Sequence, residues 1–228
     1  MDIKIIASGS SGNAYLIGDG KTHLLLDAGI PFKRIQIGCG FRTSSIDGCL
    51  VTHRHGDHAM AIPKLLQRGI AVYSNEDVAG LYPGVQQMEA RREFRIGTFR
   101  ILPFEAEHDV PCYGYQVTSE ETSEKLVYIT DSAYVRYTVT GLTHIMIEAN
   151  YAEDIMIGNV RDEKVPLSLA ERVAGTHMSI DTLLSLLRAN DMTKVRQIYL
   201  LHLSDNNSDA EVFKKMVQRE TGAEVYIA

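Results

Sequence analysis

The segment Val51-Thr52-His53-Arg54-His55-Gly56-Asp57-His58 constrains this chain more than any other feature. It gathers three of the eight histidines and an aspartate within six residues. It follows the apolar run Cys49–Thr52, which reads as a strand, and precedes a helix predicted over Met60–Arg68 and closed by Gly69. Side chains two apart on an extended stretch point the same way, so His53 and His55 share a face. Asp57 and His58 follow at a turn, where neighbouring side chains diverge. Four donors crowd a single ion that must also take outside donors and a water; two ions side by side relieve the crowding. Imidazole with carboxylate suits Zn2+, and also Mn2+ or Fe2+. The competing reading is a solvated His-rich loop, and four ligand-type residues in six positions at a strand end argue against it.

Such a centre needs donors from elsewhere in the chain. Three candidates share one context, a polar residue just after an apolar run: His108 after Ile101–Glu107, Asp131 after Leu126–Thr130, and His202 after Ile198–Leu201. Donors at strand ends are held by a rigid scaffold. Glu148 ends the run Ile145-Met146-Ile147 in the same way. His177 stands just ahead of a helix whose N-cap is Ser179, a place that favours anions. His144 and His23 sit at the other ends of strands and read as structural or surface residues.

The rest of the chain alternates strands and helices. Strands are expected at Ile3–Ala7, Tyr15–Ile17, His23–Leu26, Ala71–Ser74, Phe99–Phe104, Tyr113–Thr118, Leu126–Thr130, His144–Glu148, Gln197–Leu201 and Glu224–Ile227. Helices are expected from Asn75 to Leu81, over Ser179–Ala189, and from a capping box at Ser208 and Glu211 to about Glu220. No repeat or linker interrupts residues 1–228, so a single domain is expected: α/β, with two sheet regions and helices outside, a four-layer αββα sandwich. Apolar residues make 45% of the chain, and no run approaches the roughly 20 needed to cross a bilayer. The start Met1-Asp2-Ile3-Lys4 is no signal peptide. Cys39, Cys49 and Cys112 form no CxxC pair and read as reduced thiols, with a cytoplasmic location expected. The net charge of −6 argues against sequence-independent coating of long nucleic acid, but not against an enzyme that carries its own cations.

The His53-x-His55-x-Asp57-His58 signature after a strand, followed in order by His108, Thr130-Asp131 and Leu201-His202, resembles the metallo-β-lactamase fold hydrolases. Ser8-Gly9-Ser10-Ser11-Gly12-Asn13 and Leu24-Leu25-Leu26-Asp27-Ala28-Gly29 match as well. Glu148-x-Asn150 and the Leu201-His202-Leu203-Ser204-x-x-Asn207 tail are most similar to the small YycJ/WalJ-type branch, proposed as DNA exonucleases. The resemblance implies that His53, His55 and His108 hold one ion, that Asp57, His58 and His202 hold another, and that Asp131 bridges them. A hydroxide formed there attacks an ester, with Asp57 able to orient it. It also implies that Glu148 holds and charges His177, which then acts on the leaving group. The sequence departs from the pattern at Ala152, where an aspartate is common, and at Thr176, inserted before His177. Asp27 is expected to accept a hydrogen bond near His53 or from the loop backbone.

These readings imply a dinuclear metal-dependent phosphodiesterase acting on DNA ends. The alternative keeps the site and changes the substrate to a lactone, thioester, β-lactam or small cyclic phosphodiester. A metal-stabilised binding module is disfavoured because the ligand set is complete. Two stretches offer cations for phosphate. Lys33, Arg34 and Arg42 lie in Pro31–Ile46, which holds no acid, and Arg91, Arg92, Arg95 and Arg100 lie among glutamates. Tyr113, Tyr134, Tyr137 and Tyr151 are candidates for stacking on bases.

Overall fold

The computed structural model describes all 228 residues, Met1–Ala228. The chain divides into two compact units, Met1–Glu105 with Val110–Glu124, and Ala106–Asp109 with Lys125–Ala228.

The first unit holds a six-stranded sheet in sequence order: β1 (Asp2–Ala7), β2 (Ala14–Gly18), β3 (His23–Leu26), β4 (Gly48–Leu50), β5 (Val72–Ser74) and β6 (Gln86–Gln87). The first two pairings are antiparallel and the rest parallel. The parallel strands are covered on both faces, which is why they are short unbroken apolar runs; Leu24, Leu25 and Leu26 are all fully buried. Helix α1 (Phe32–Gly38) carries the chain from β3 back to β4. The helix expected over Met60–Arg68 is found as α3 (Ile62–Gln67), and a separate short helix that was not expected, α2 (Gly56–Ala59), precedes it. Pro63 has no N–H to offer the preceding turn, so one continuous ladder cannot form. Asp57 and His58 thus stand on a helical turn rather than in a loop. Asn75 caps α4 (Glu76–Leu81), its side chain accepting from Val78 N–H at 3.0 Å. Strands β7 (Phe94–Ile96) and β8 (Phe99–Ala106) form an antiparallel hairpin, and β9 (Cys112–Ser119) follows beside β8.

The second unit is built on four parallel strands, β10 (Lys125–Ile129), β11 (His144–Glu148), β12 (Gln197–Leu201) and β13 (Glu224–Ile227). Their register positions the site. Ile129 pairs with Ile147, and Glu148 pairs with Leu201, so Thr130-Asp131, Glu148 and His202 emerge at one end of the sheet. The connections are helical: α5 (Glu153–Arg161), α6 (Leu167–Thr176), α7 (Ile180–Ala189) and α8 (Ala210–Thr221). Ser179 caps α7 as expected. The capping box expected at Ser208 is not formed. Its hydroxyl donates back to Ser204 O, and Asp209, one residue on, accepts from Val212 N–H at 3.0 Å. Helices α5 and α6 were not expected, because neither begins on a side-chain cap. The mixed α/β class, with two sheets and helices, is as the sequence predicts.

Candidate metal centre

In the first unit the donors are carried by a buried carboxylate. Asp27 follows β3 in the left-handed region, φ 55°, with its N–H on Leu50 O. Its carboxylate accepts from Thr52 N–H at 2.8 Å and Thr52 Oγ1 at 3.1 Å, and lies 2.7 Å from His58 Nδ1. That contact fixes the proton on Nδ1 and leaves the lone pair on Nε2, which points to a donor role. Asp27 therefore serves His58 and, as expected, the loop backbone at Thr52. Thr52 Oγ1 stands 3.0 Å from His53 Nδ1, with Cys112 Sγ 3.8 Å away. His53 Nε2 then faces His55 Nδ1 at 3.0 Å. Two nitrogens bound to one zinc ion would stand about 3.3 Å apart, so this convergence suits a shared ion. Asp57 Oδ2 is 3.5 Å from His58 Nε2.

The backbone is locked around these residues. Ala28 N–H donates to His58 O, and Asn13 N–H donates to Asp57 O, both at 2.8 Å. A Cβ on Gly29 would fall 1.5 Å from Asp57 O, so only glycine allows this approach. Asn13, also fully buried, places Nδ2 3.0 Å from His58 Nε2 while its Oδ1 accepts from Gly9 N–H and Tyr15 Oη.

In the second unit Asp131, Glu148, His177 and His202 each offer an atom within 4.8 Å of the others. Glu148 is fully buried and is the hub. Its Oε2 accepts from Ser132 N–H and Met178 N–H, both at 3.0 Å; its Oε1 lies 2.6 Å from His177 Nδ1 and 3.2 Å from His202 Nδ1. Burial alone would raise the Glu148 carboxyl, but His177 beside it holds it below its ordinary value. Burial alone would depress His177, and the Glu148 charge and hydrogen bond hold it above its ordinary value. The His177 and His202 rings are stacked, with centroids 5.3 Å apart and planes at 10°. His202 is in the left-handed region, φ 53°, with Asn150 Nδ2 donating to its carbonyl at 2.9 Å. Its Nε2 faces Asp131 Oδ1 at 3.9 Å. His108 Nδ1 lies 2.9 Å from Thr176 O, and burial depresses its pKa against the pull of Asp131. The inserted Thr176 therefore supports His108 with its carbonyl and leaves His177 in contact with Glu148.

Within each unit the expected residues come together: His53, His55, Asp57 and His58 in one, and His108, Asp131, Glu148, His177 and His202 in the other. In four of the ligand-type histidines Nδ1 meets an outer partner: Thr52 for His53, Asp27 for His58, Thr176 for His108, and Glu148 for His202. This arrangement of outer partners is what ligating imidazoles need. Asn13, Thr52 and Asn150 went without a role in the sequence; the two asparagines lay inside motif matches, but no spacing rule ties an amide to a distant ring. His144 is a buried strand-start residue, pushed down to about 4 by burial first, with Thr143 Oγ1 on its Nδ1. Tyr151 is buried, so it is no stacking platform.

Residues 22–203 match the family model described as a beta-lactamase superfamily domain. The chain belongs to the metallo-β-lactamase superfamily of hydrolases. Among curated relatives it is 27% identical to "Exodeoxyribonuclease WalJ" of Streptococcus pneumoniae, over 91% of this chain and 83% of that one. It is 26% identical to "Exodeoxyribonuclease YycJ" of Bacillus anthracis, over 96% and 88%. Among solved structures, the metallo-β-lactamase fold protein YhfI of Bacillus subtilis superposes with a TM-score of 0.77 at 18% identity, over 99% of this chain and 95% of that one. That likeness shows the fold expected from the sequence. No helix is long and apolar enough to cross a membrane.

Proposed function

We propose that this superfamily hydrolase is a dinuclear metal-dependent phosphodiesterase acting on DNA ends. The reading takes residues 1–228 as one hydrolase domain. His53, His55 and His108 hold one ion, Asp57, His58 and His202 hold the second, and Asp131 is shared. The residues fit such ions by their donor chemistry: imidazoles with Nδ1 engaged by outer partners, beside the carboxylates of Asp57 and Asp131. Divalent ions bound there supply Lewis acidity and lower the pKa of water, so that a nucleophile exists near neutral pH. Zn2+, Mn2+ and Fe2+ all suit this donor set.

The observation that carries the phosphodiester reading is the contact at 2.6 Å between the buried Glu148 and the half-buried His177, whose ring stacks on the ligand-type His202. Glu148 keeps the proton on His177 Nδ1 and favours the imidazolium. His177 then holds a proton on Nε2 that it can donate to a phosphate oxygen or to the leaving alkoxide. Asp57 orients the attacking water. The names of the WalJ and YycJ relatives support the same substrate class.

The test is a metal analysis of the purified protein with a substrate panel. About two equivalents of metal are expected, with hydrolysis of bis-p-nitrophenyl phosphate and of end-labelled DNA. Turnover of nitrocefin or a lactone without any phosphodiester turnover would overturn the proposal.

A further inference from the structure

The basic residues that the sequence singles out fall into two classes. Arg91, Arg92, Arg95 and Arg100 are each matched by a glutamate: Glu105, Glu89, Glu120 and Glu93. Arg54, inside the metal motif, is matched by Asp77 at 3.1 Å. Lys33, Arg34 and Arg42 are exposed and pair with no acid, in a stretch that contains none. Between them the surface is apolar: Ile37 is 54% exposed and Phe41 is 73% exposed. Arg34, Ile37 and Phe41 recur at three- and four-residue spacing, which lines them along one side of α1 and the turn that ends it.

The backbone holds Phe41 outward. Gly40 closes α1 in the left-handed region, with its N–H on Ile37 O, and Phe41 N–H reaches back to Gln36 O at 2.7 Å. This is a Schellman end, in which the residue after the glycine usually packs on the helix. Here that residue is a phenylalanine at φ 59°, a conformation unusual for a bulky side chain, and its ring faces solvent. An aromatic ring, an aliphatic neighbour, two unpaired guanidiniums and an ammonium are the elements of a base-stacking platform with phosphate contacts.

We infer that α1 and the Gly40–Arg42 turn form a secondary binding surface for the single strand of a nucleic-acid substrate; this rests on the phosphodiesterase reading above. The surface continues directly from the metal motif. Asp27–Gly29, bonded to the backbone of Asp57 and His58, leads through Ile30 and Pro31 into α1. Because β3 and β4 are parallel, α1 runs from their donor-bearing end toward the start of β4. Its seven residues span about 10 Å, the length of about three stacked nucleotides. The strand therefore meets Phe41 and Arg42 several nucleotides from the scissile phosphate. Charge complementarity favours this occupant in a chain whose net charge is −6.

The test uses the full-length protein as purified and a fluorescent phosphorothioate 20-mer of oligothymidine, which resists cleavage. The Arg34→Ala/Arg42→Ala double variant should bind more weakly and lower the slope of log K against log salt by about 1.4. Phe41→Ala should weaken binding about 5- to 100-fold. Both losses should grow with strand length, from slight on a dinucleotide to full on the 20-mer, and thermal melting should confirm that the variants fold. Unchanged 20-mer affinity in folded variants would overturn the inference, as would a wild-type protein that binds anionic lipid vesicles through these residues and no oligonucleotide. If the wild type hydrolyses bis-p-nitrophenyl phosphate while the variants bind normally, this surface fails and the phosphodiesterase reading stands. If the wild type hydrolyses no phosphodiester, that reading fails first.

Discussion

Each unit carries one fully buried carboxylate that organises histidines, and the two do it differently. Asp27 accepts from the Thr52 backbone and hydroxyl and meets one ligand-type ring, His58. Glu148 accepts from two backbone N–H groups and meets two rings, His202 and the non-ligand His177. Both place their accepting oxygens against Nδ1, so both fix a tautomer. On the proposed reading Asp27 has a ligand to orient, and Glu148 divides its charge between a ligand and a proton donor. The same chemistry would then serve metal holding alone in the first unit, and metal holding with proton transfer in the second.

The largest expected effect breaks the Glu148 arrangement. His177→Ala should lower kcat on DNA, whose leaving alkoxide needs a proton, about 100- to 1000-fold, or roughly 3–4 kcal/mol of transition-state stabilisation, with metal content unchanged. Glu148→Gln should lose a similar factor, and the double variant should be no worse than about threefold beyond His177→Ala, because the two residues act as a unit. Steady-state kinetics with metal analysis on the same preparations decides it. Loss of metal from His177→Ala would make His177 a ligand. Additive losses would mean that Glu148 acts through His202 instead.

The second effect is smaller and of another kind. Asp27→Asn keeps the shape but removes the charge that holds the proton on His58 Nδ1. Metal affinity should fall about 10- to 100-fold, as for other outer partners of ligands, or roughly 1.4–2.7 kcal/mol. Titration against a chromophoric chelator measures it. At saturating metal kcat should recover to within about tenfold. A kcat loss that saturating metal does not restore would erase the distinction between the two carboxylates.

The difference between the units also explains what the sequence could tell. The first unit's four donors fall within six consecutive residues after a strand, so their chemistry is written locally. In the second unit His108, Asp131, Glu148 and His202 are far apart in sequence and were marked by their shared place at strand ends, and His177 by its place ahead of a capped helix. The parallel register that aligns Glu148 with Leu201 turns that shared place into proximity. What stayed hidden was what depends on a long-range partner. Examples are Asn13 against His58, the backbone carbonyl of Thr176 against His108, and the contact of Asp27 with His58. The short helix α2 ahead of α3 also stayed hidden, because its four residues carry no apolar period of their own. The matching of Arg91–Arg100 to glutamates was suggested by composition, but only the hairpin pairing of β7 and β8 decides which cation meets which acid.

A third buried carboxylate sharpens the comparison, because it has the hydrogen bonds without a histidine. Asp19 accepts from Thr98 Oγ1 at 2.6 Å, Ser119 Oγ at 2.7 Å, and the N–H groups of Thr22 and Lys21. Burial alone would raise it, and these donors together lower it to about 2 from 3.8. A depressed carboxyl contributes stability that is fully present above its unfolded pKa and is lost as pH falls through the folded one. The contribution of Asp19 should therefore be complete above pH 3.8 and should fade as pH falls toward 2. Asp19→Asn should flatten the pH dependence of the urea midpoint across that window and leave kcat and metal affinity at neutral pH unchanged. If Asp19→Asn lowered metal affinity as Asp27→Asn does, a buried hydrogen-bonded carboxylate would matter to the centre only through general rigidity. If it does not, the contact with Nδ1 is what separates Asp27 and Glu148 from a structural aspartate.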